Sequence, residues 1–277
     1  MSRLVSYILR VGETEDDAAQ TRNTNNGILD KSYFYKYPDD YRVPLTEAGY
    51  KHAQKVRPII LVSISELLAR LNLPDNKVMV VRSPSDRAQG MVNAIFGNAE
   101  ILSNTPFQPD DDLAAQNYGE YHGISRIDRR NHLLYPESCA SFDELGPWMG
   151  RPSLGESKHD VFKRNSKVVQ KAEDAAIEQG ISIVLYIADT GTIFYNLLTC
   201  LTNRPPEDAL VLREELALDY AALARVMCDT SKPSTLRNFR ILWRGEPPQP
   251  EHQGPDPDLQ DILDAQPSTT RIECNVT

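Results

Sequence analysis

Residues 4–9, Leu-Val-Ser-Tyr-Ile-Leu, form an apolar, β-favouring run that passes directly into Arg10-Val11-Gly12-Glu13-Thr14. This pattern predicts a buried strand ending in a loop, and the run is too short to be a signal segment or to span a bilayer. Residues 15–42 are polar, with three asparagines between positions 23 and 26, and their lack of periodicity predicts a long surface excursion. From Pro44-Leu45-Thr46-Glu47 to about Leu73, apolar positions recur on one helical face with Thr46 placed to cap it. Pro58 is expected to kink or split that helix. Residues 77–81 supply a second β-branched run and 83–96 a second helix. Further on, 156–179 have helical composition, 183–188 form a strongly hydrophobic strand and 191–201 a following helix. Residues 215–227 and 235–243 are read as two more strands, an antiparallel pair at a sheet edge. The alternation of strand and helix predicts an α/β fold, a mostly parallel sheet covered by helices.

Composition sets bounds on this picture. The chain has 277 residues, is 40% hydrophobic and 25% charged, and carries a formal net charge of −9, which suits a single folded domain over residues 1–244. Residues 245–277 hold six prolines and seven acids against one arginine, and are read as a flexible acidic tail open to a protein partner. The acidic balance gives no overall reason to bind nucleic acid or a membrane, yet it does not exclude a small positive pocket. Cys139, Cys200, Cys228 and Cys274 are widely spaced, with no CxxC and no zinc-like pairing with histidine. They read as reduced thiols of a cytoplasmic protein, and no motif calls for a metal or a cofactor.

In sheets of this kind, ligands bind outside the carboxyl ends of the strands. Three loops converge there: 10–14, 82–87 and 189–192. Arg10 and Arg87 can hold a phosphate or carboxylate by bidentate hydrogen bonds, with amides at helix starts adding donors. The competing reading is that both arginines make ordinary ion pairs.

The same residues carry a family likeness. Residues 7–14, Tyr-Ile-Leu-Arg-Val-Gly-Glu-Thr, resemble the opening of the histidine phosphatase, or phosphoglycerate mutase-like, superfamily, in which Arg-His-Gly-Glu follows the first strand. The resemblance continues through Pro44-Leu45-Thr46-Glu47-Ala48-Gly49, Ser83-Pro84-Ser85-Asp86-Arg87-Ala88, Tyr118-Gly119-Glu120-Tyr121-His122-Gly123, Gly155-Glu156-Ser157 and Asp189-Thr190-Gly191-Thr192. A looser likeness is to a fungal branch of acid phosphatases with a long insertion before Pro-Leu-Thr-Glu. The resemblance implies a three-layer α/β/α fold and an anion pocket made by Arg10, Gly12, Glu13, Arg87 and Gly191. It also exposes three departures. Val11 stands where the family histidine attacks phosphorus, Ala115 where its general acid is expected, and Asp189 where its second histidine bonds the phosphoryl group.

Valine has no nucleophilic atom, so phosphohistidine chemistry is unavailable. Two functional readings follow. One is a pseudophosphatase that binds a phosphorylated or carboxylated small molecule, or a partner. The other is a repurposed isomerase, cyclase or lyase of specialised metabolism, with Asp189 as acid or base. A charge pair between Asp189 and Arg10 or Arg87 would instead neutralise the pocket. Arg82 is an extra cation beside this set, His122 a rim candidate, and His159 is read as a solvated helical residue.

Overall fold

Strand β1 (Arg3–Arg10) is the spine of the fold, and its alternation sorts side chains to two faces. Leu4 and Ile8 enter one apolar core, whereas Val5, Tyr7, Leu9 and Val11 enter a second on the opposite side. The computed structural model describes residues 3–18, 40–74, 77–97, 107–122, 129, 132–229 and 236–246. Among these, six strands form one sheet in the order β3-β2-β4-β1-β5-β6. The others are β2 (Val78–Arg82), β3 (Phe107–Pro109), β4 (Ile183–Ala188), β5 (Leu223–Asp229) and β6 (Phe239–Trp243). Strands β1, β2 and β3 run parallel within the β1-β4-β2-β3 half, while β5 and β6 add antiparallel on the far side of β1. Every residue of β4 is buried, as its uninterrupted apolar run requires for a strand covered on both faces.

Helices α1 (Glu47–Leu71) and α2 (Asp86–Phe96) cover one face. Helices α4 (Lys158–Glu178), α5 (Gly191–Leu201) and α6 (Asp208–Leu216) cover the other, with α3 (Pro136–Met149) packed beside α4. The three-layer α/β/α arrangement is thus met, and the antiparallel pair does lie at the sheet edge.

Three expectations need correction. Helix α1 runs through Pro58, because that residue lies on the exposed face, where the hydrogen bond it cannot make is replaced by solvent. The buried stripe of Ala53, Val56, Ile60 and Ile64 continues past it without a break. The strand expected from 215 begins only at Leu223. Residues 208–216 are helix, and the chain then turns through Ala217 and Ala221, both at positive φ. The strand expected from 235 is confined to 239–243. The excursion at 19–39 and the tail beyond Glu246 lie outside the described residues. No described helix is long and apolar enough to cross a membrane. Cys139 and Cys200 are free thiols, and burial pushes the Cys200 thiol up to about 12, which keeps it unreactive.

Candidate functional site

Parallel pairing aligns Arg10 of β1 with Ala188 of β4, and Arg82 of β2 with Ile187. The loops that follow therefore meet at one edge, with Asp189 emerging between the other two. Arg87 reaches the same point from the first turn of α2, which Ser85 caps by accepting from the Ala88 amide. Arg87 and Asp189 are 3% and 2% exposed, so whatever they do occurs away from bulk water.

Asp189 accepts four hydrogen bonds there. Arg87 donates from Nε to Oδ1 at 2.7 Å and from Nη2 to Oδ2 at 2.8 Å, a two-pronged fork. The Ser85 hydroxyl donates to Oδ1 at 2.6 Å, and the Ala115 amide donates to Oδ2 at 3.2 Å. Ala115 is itself held in place, because Arg164 donates to its carbonyl and to that of Asp112 while pairing with Glu156. Of the two pairings open in the sequence, the structure forms the one with Arg87. That carboxylate takes the guanidinium fork an external carboxylate or phosphate would need.

Arg10 has a different fate. Its Nη1 donates to the Leu218 carbonyl at 2.6 Å, and its guanidinium lies 4.9 Å from the centre of the Tyr220 ring. It rests on Gly191 at the start of α5, where a Cβ would sit 3.5 Å from the guanidinium carbon. Arg10 is only partly buried, and its bond to Leu218 uses one of five donors. The remaining predicted residues divide. Val11 is 3% exposed and packs into the α1/α2 core. The Gly12 amide donates to the Met91 sulfur. Glu13 is buried and turns to the start of α1, accepting from the Thr46 hydroxyl at 2.8 Å. His122 is exposed. His159, expected in water, is half-buried with its ring against Trp148 and its Nδ1 unpartnered.

Sequence reasoning missed Leu218, Tyr220 and His52. His52 lies one turn after Gly49 on α1, is buried, and stacks on Tyr220 with ring centres 5.9 Å apart. No motif marks them, because the contact joins α1 to the loop before β5. Burial lowers the His52 pKa from its ordinary 6.5 against the opposing pull of Glu13, Glu246 and Asp219, with Lys55 adding to the lowering. The neutral ring is therefore the native form. Acid favours the unfolded chain from about pH 6.5 downward, until the folded-state value is passed. Asp219 acts in the opposite sense. Burial raises its pKa, so protonation at lower pH favours the native state. We expect His52→Phe, which keeps a ring on Tyr220, to flatten the fall of the urea midpoint between pH 7 and pH 5. An unchanged slope would assign that fall to other groups.

The sheet order, the helix-covered faces and the arginine-bearing strand ends define an α/β protein of the phosphoglycerate mutase-like class. The sequence profile of the Histidine phosphatase superfamily (branch 1) matches residues 7–238, and the chain belongs to that superfamily. Solved structures with this fold include a putative alpha-ribazole-5'-P phosphatase from Escherichia coli, at 16% identity and TM-score 0.60, covering 87% of this chain and 96% of that one. YhfR of Bacillus stearothermophilus is 17% identical at TM-score 0.55, covering 88% and 97%. A mycobacterial glucosyl-3-phosphoglycerate phosphatase in complex with VO3 is 18% identical at TM-score 0.52, covering 89% and 100%. No curated protein matches the chain significantly.

Proposed function

We propose that this chain is a pseudophosphatase: a phosphoglycerate mutase-like protein without phosphohistidine chemistry, in which Arg10 receives the carboxylate of a small molecule or of a partner. The observation that carries this reading is the buried, two-pronged pair between Arg87 and Asp189. Two arginines facing one space suit a phosphate dianion, but an internal carboxylate on Arg87 cancels one positive charge and repels a second anion. Arg10, with the amides at the start of α5 beside it and the Asp219 carboxylate within reach of its charge, is left to meet at most one further negative charge. The side chains at 11 and 115 support the same reading, since neither valine nor alanine can attack phosphorus or give a proton.

The repurposed-enzyme reading needs Asp189 to exchange protons with a substrate. At 2% exposure, with four donors on its two oxygens, the carboxylate has no open approach.

The test pairs turnover with binding. Hydrolysis of p-nitrophenyl phosphate should stay at background, and Val11→His alone should not raise it, because position 115 would still lack an acid. In a thermal titration, carboxylic acids should raise the melting temperature while phosphate and tungstate do not, and Arg10→Gln should abolish the rise. Phosphomonoester turnover by the unmodified chain that vanishes in Arg10→Gln would overturn the proposal.

A further inference from the structure

Twelve large apolar side chains are exposed among the described residues, and five of them fall between positions 133 and 154. That clustering separates them from the scattered exposed apolar residues any surface carries. Leu133 and Leu134 precede α3, Leu145 and Met149 close it, and Leu154 stands in the loop beyond, at 90% exposure. Along α3, Glu137, Ser141 and Leu145 recur at four-residue spacing and so share a face. Glu137 and Ser141 also line an open cavity of about 460 Å³, together with Arg151, Pro152, Ser153, Leu154 and Gly155.

Leu154 is held outward by its backbone. Its φ of 59° is one that few residues with a side chain adopt. The loop is clamped on both sides of it: the Glu120 amide donates to the Ser153 carbonyl, and the Glu156 amide to the Asn117 carbonyl. The Ser153 amide donates to the Ser138 hydroxyl on α3. Gly119 lies so close that a Cβ there would come within 2.1 Å of the Ser153 carbonyl oxygen. An exposed leucine on a clamped, left-handed turn is a preformed knob, and the cavity beside it is a hole.

The charges on this patch match one another. Glu137 and Arg151 line the same cavity; the Arg151 amide donates to the Ser141 hydroxyl and its guanidinium helps hold the Asp160 pKa down, but neither charged side chain forms a close ion pair with another described residue. In a two-fold interface each surface meets its own copy, so a residue pairs with a different residue of the other chain, twice over. A patch bearing a knob, a hole, one acid and one base is complementary to itself in that operation. We propose that the chain forms a two-fold dimer through this face, with Leu154 of each protomer seated in the cavity of the other and Arg151 of each facing Glu137 of the other. A small molecule in the cavity would leave Leu145, which shares the Glu137 and Ser141 face of α3, in water, whereas a second copy can cover it.

Sedimentation velocity of the full chain over the micromolar range tests this. The expected species has twice the 31.2 kDa chain mass. Leu154→Asp and Arg151→Glu should each weaken association by about tenfold or more, and Leu154→Asp should leave the melting temperature of the monomer unchanged, since that position is exposed. Glu137→Arg should act likewise, and the charge-swapped double variant, Glu137→Arg with Arg151→Glu, should restore the dimer. A monomer at every concentration, a dimer indifferent to these variants, or a double variant no tighter than the singles would overturn the proposal.

Discussion

Replacing Asp189 with asparagine is expected to lower stability by about 3–5 kcal/mol, the usual cost of breaking a buried ion pair by removing one partner. The Arg87 guanidinium is 3% exposed and would lose the carboxylate that two of its nitrogens now face. The new amide would also point an N–H₂ group at the arginine, serine and backbone donors that now converge on the carboxylate. For a domain of this size the melting temperature should fall by roughly 10 °C. Arg87→Met should cost a similar amount by stranding the carboxylate, and the double variant Arg87→Met with Asp189→Leu should recover much of the loss. Urea denaturation measures all three. A loss below about 1 kcal/mol in Asp189→Asn would show that water reaches the pair.

The second large effect is expected where β1 hands over to α1. A Cβ on Gly49 would sit 2.1 Å from the Glu13 carbonyl oxygen, and one on Gly12 would sit 2.5 Å from the Gly49 carbonyl oxygen. Both obstacles are backbone, so no side chain can swing aside. Relief requires separating the loop after Arg10 from the first turn of α1, which the Thr46 bonds to Glu13 hold together. Gly49→Ala should therefore cost about 3 kcal/mol or more, at the upper end of overpacking effects. Gly146→Ala is the contrast. It has φ 71° and ψ 177°, a region almost confined to glycine, but nothing within 4 Å of the added carbon, so its cost should be conformational alone, about 1–3 kcal/mol. Equal losses in the two variants, read from denaturation midpoints, would mean that the Gly12–Gly49 contact relaxes.

Elements that announce themselves locally were legible. Strand β4 is a continuous apolar run, α5 begins after the cap at Thr190, and α4 begins at a capping box between Ser157 and Asp160. The turn from α6 to β5 was not legible, because Ala217 and Ala221 take left-handed backbone angles that a sequence reader assigns to glycine or asparagine. Helix α3 was missed for a related reason: it contains Gly146 and Pro147, which break its period. The strand-end rule placed Arg10, Arg87, Asp189 and Gly191 at one edge, and the structure pairs Arg87 with Asp189 and sets Arg10 against Gly191 there. The rule could not choose Asp189's partner, since that depends on α2 presenting Arg87 and Ser85 at the same height. Glu13 shows the opposite limit. Its place in the loop suggested a ligand, but the neighbouring Thr46 captures it.

The sheet margins bear on how this molecule can associate. Among the described residues, strand β3 spans Phe107–Pro109 and ends in Pro109, which has no N–H to offer an incoming strand. At the other margin, β6 is only five residues long and its pairing with β5 is interrupted by a register shift at Leu223 and Ala224. Short, irregular edges discourage strand addition and with it the open-ended stacking that leads to fibres. Contacts with other molecules are thereby directed toward the helical and loop surfaces, where an assembly can close on itself.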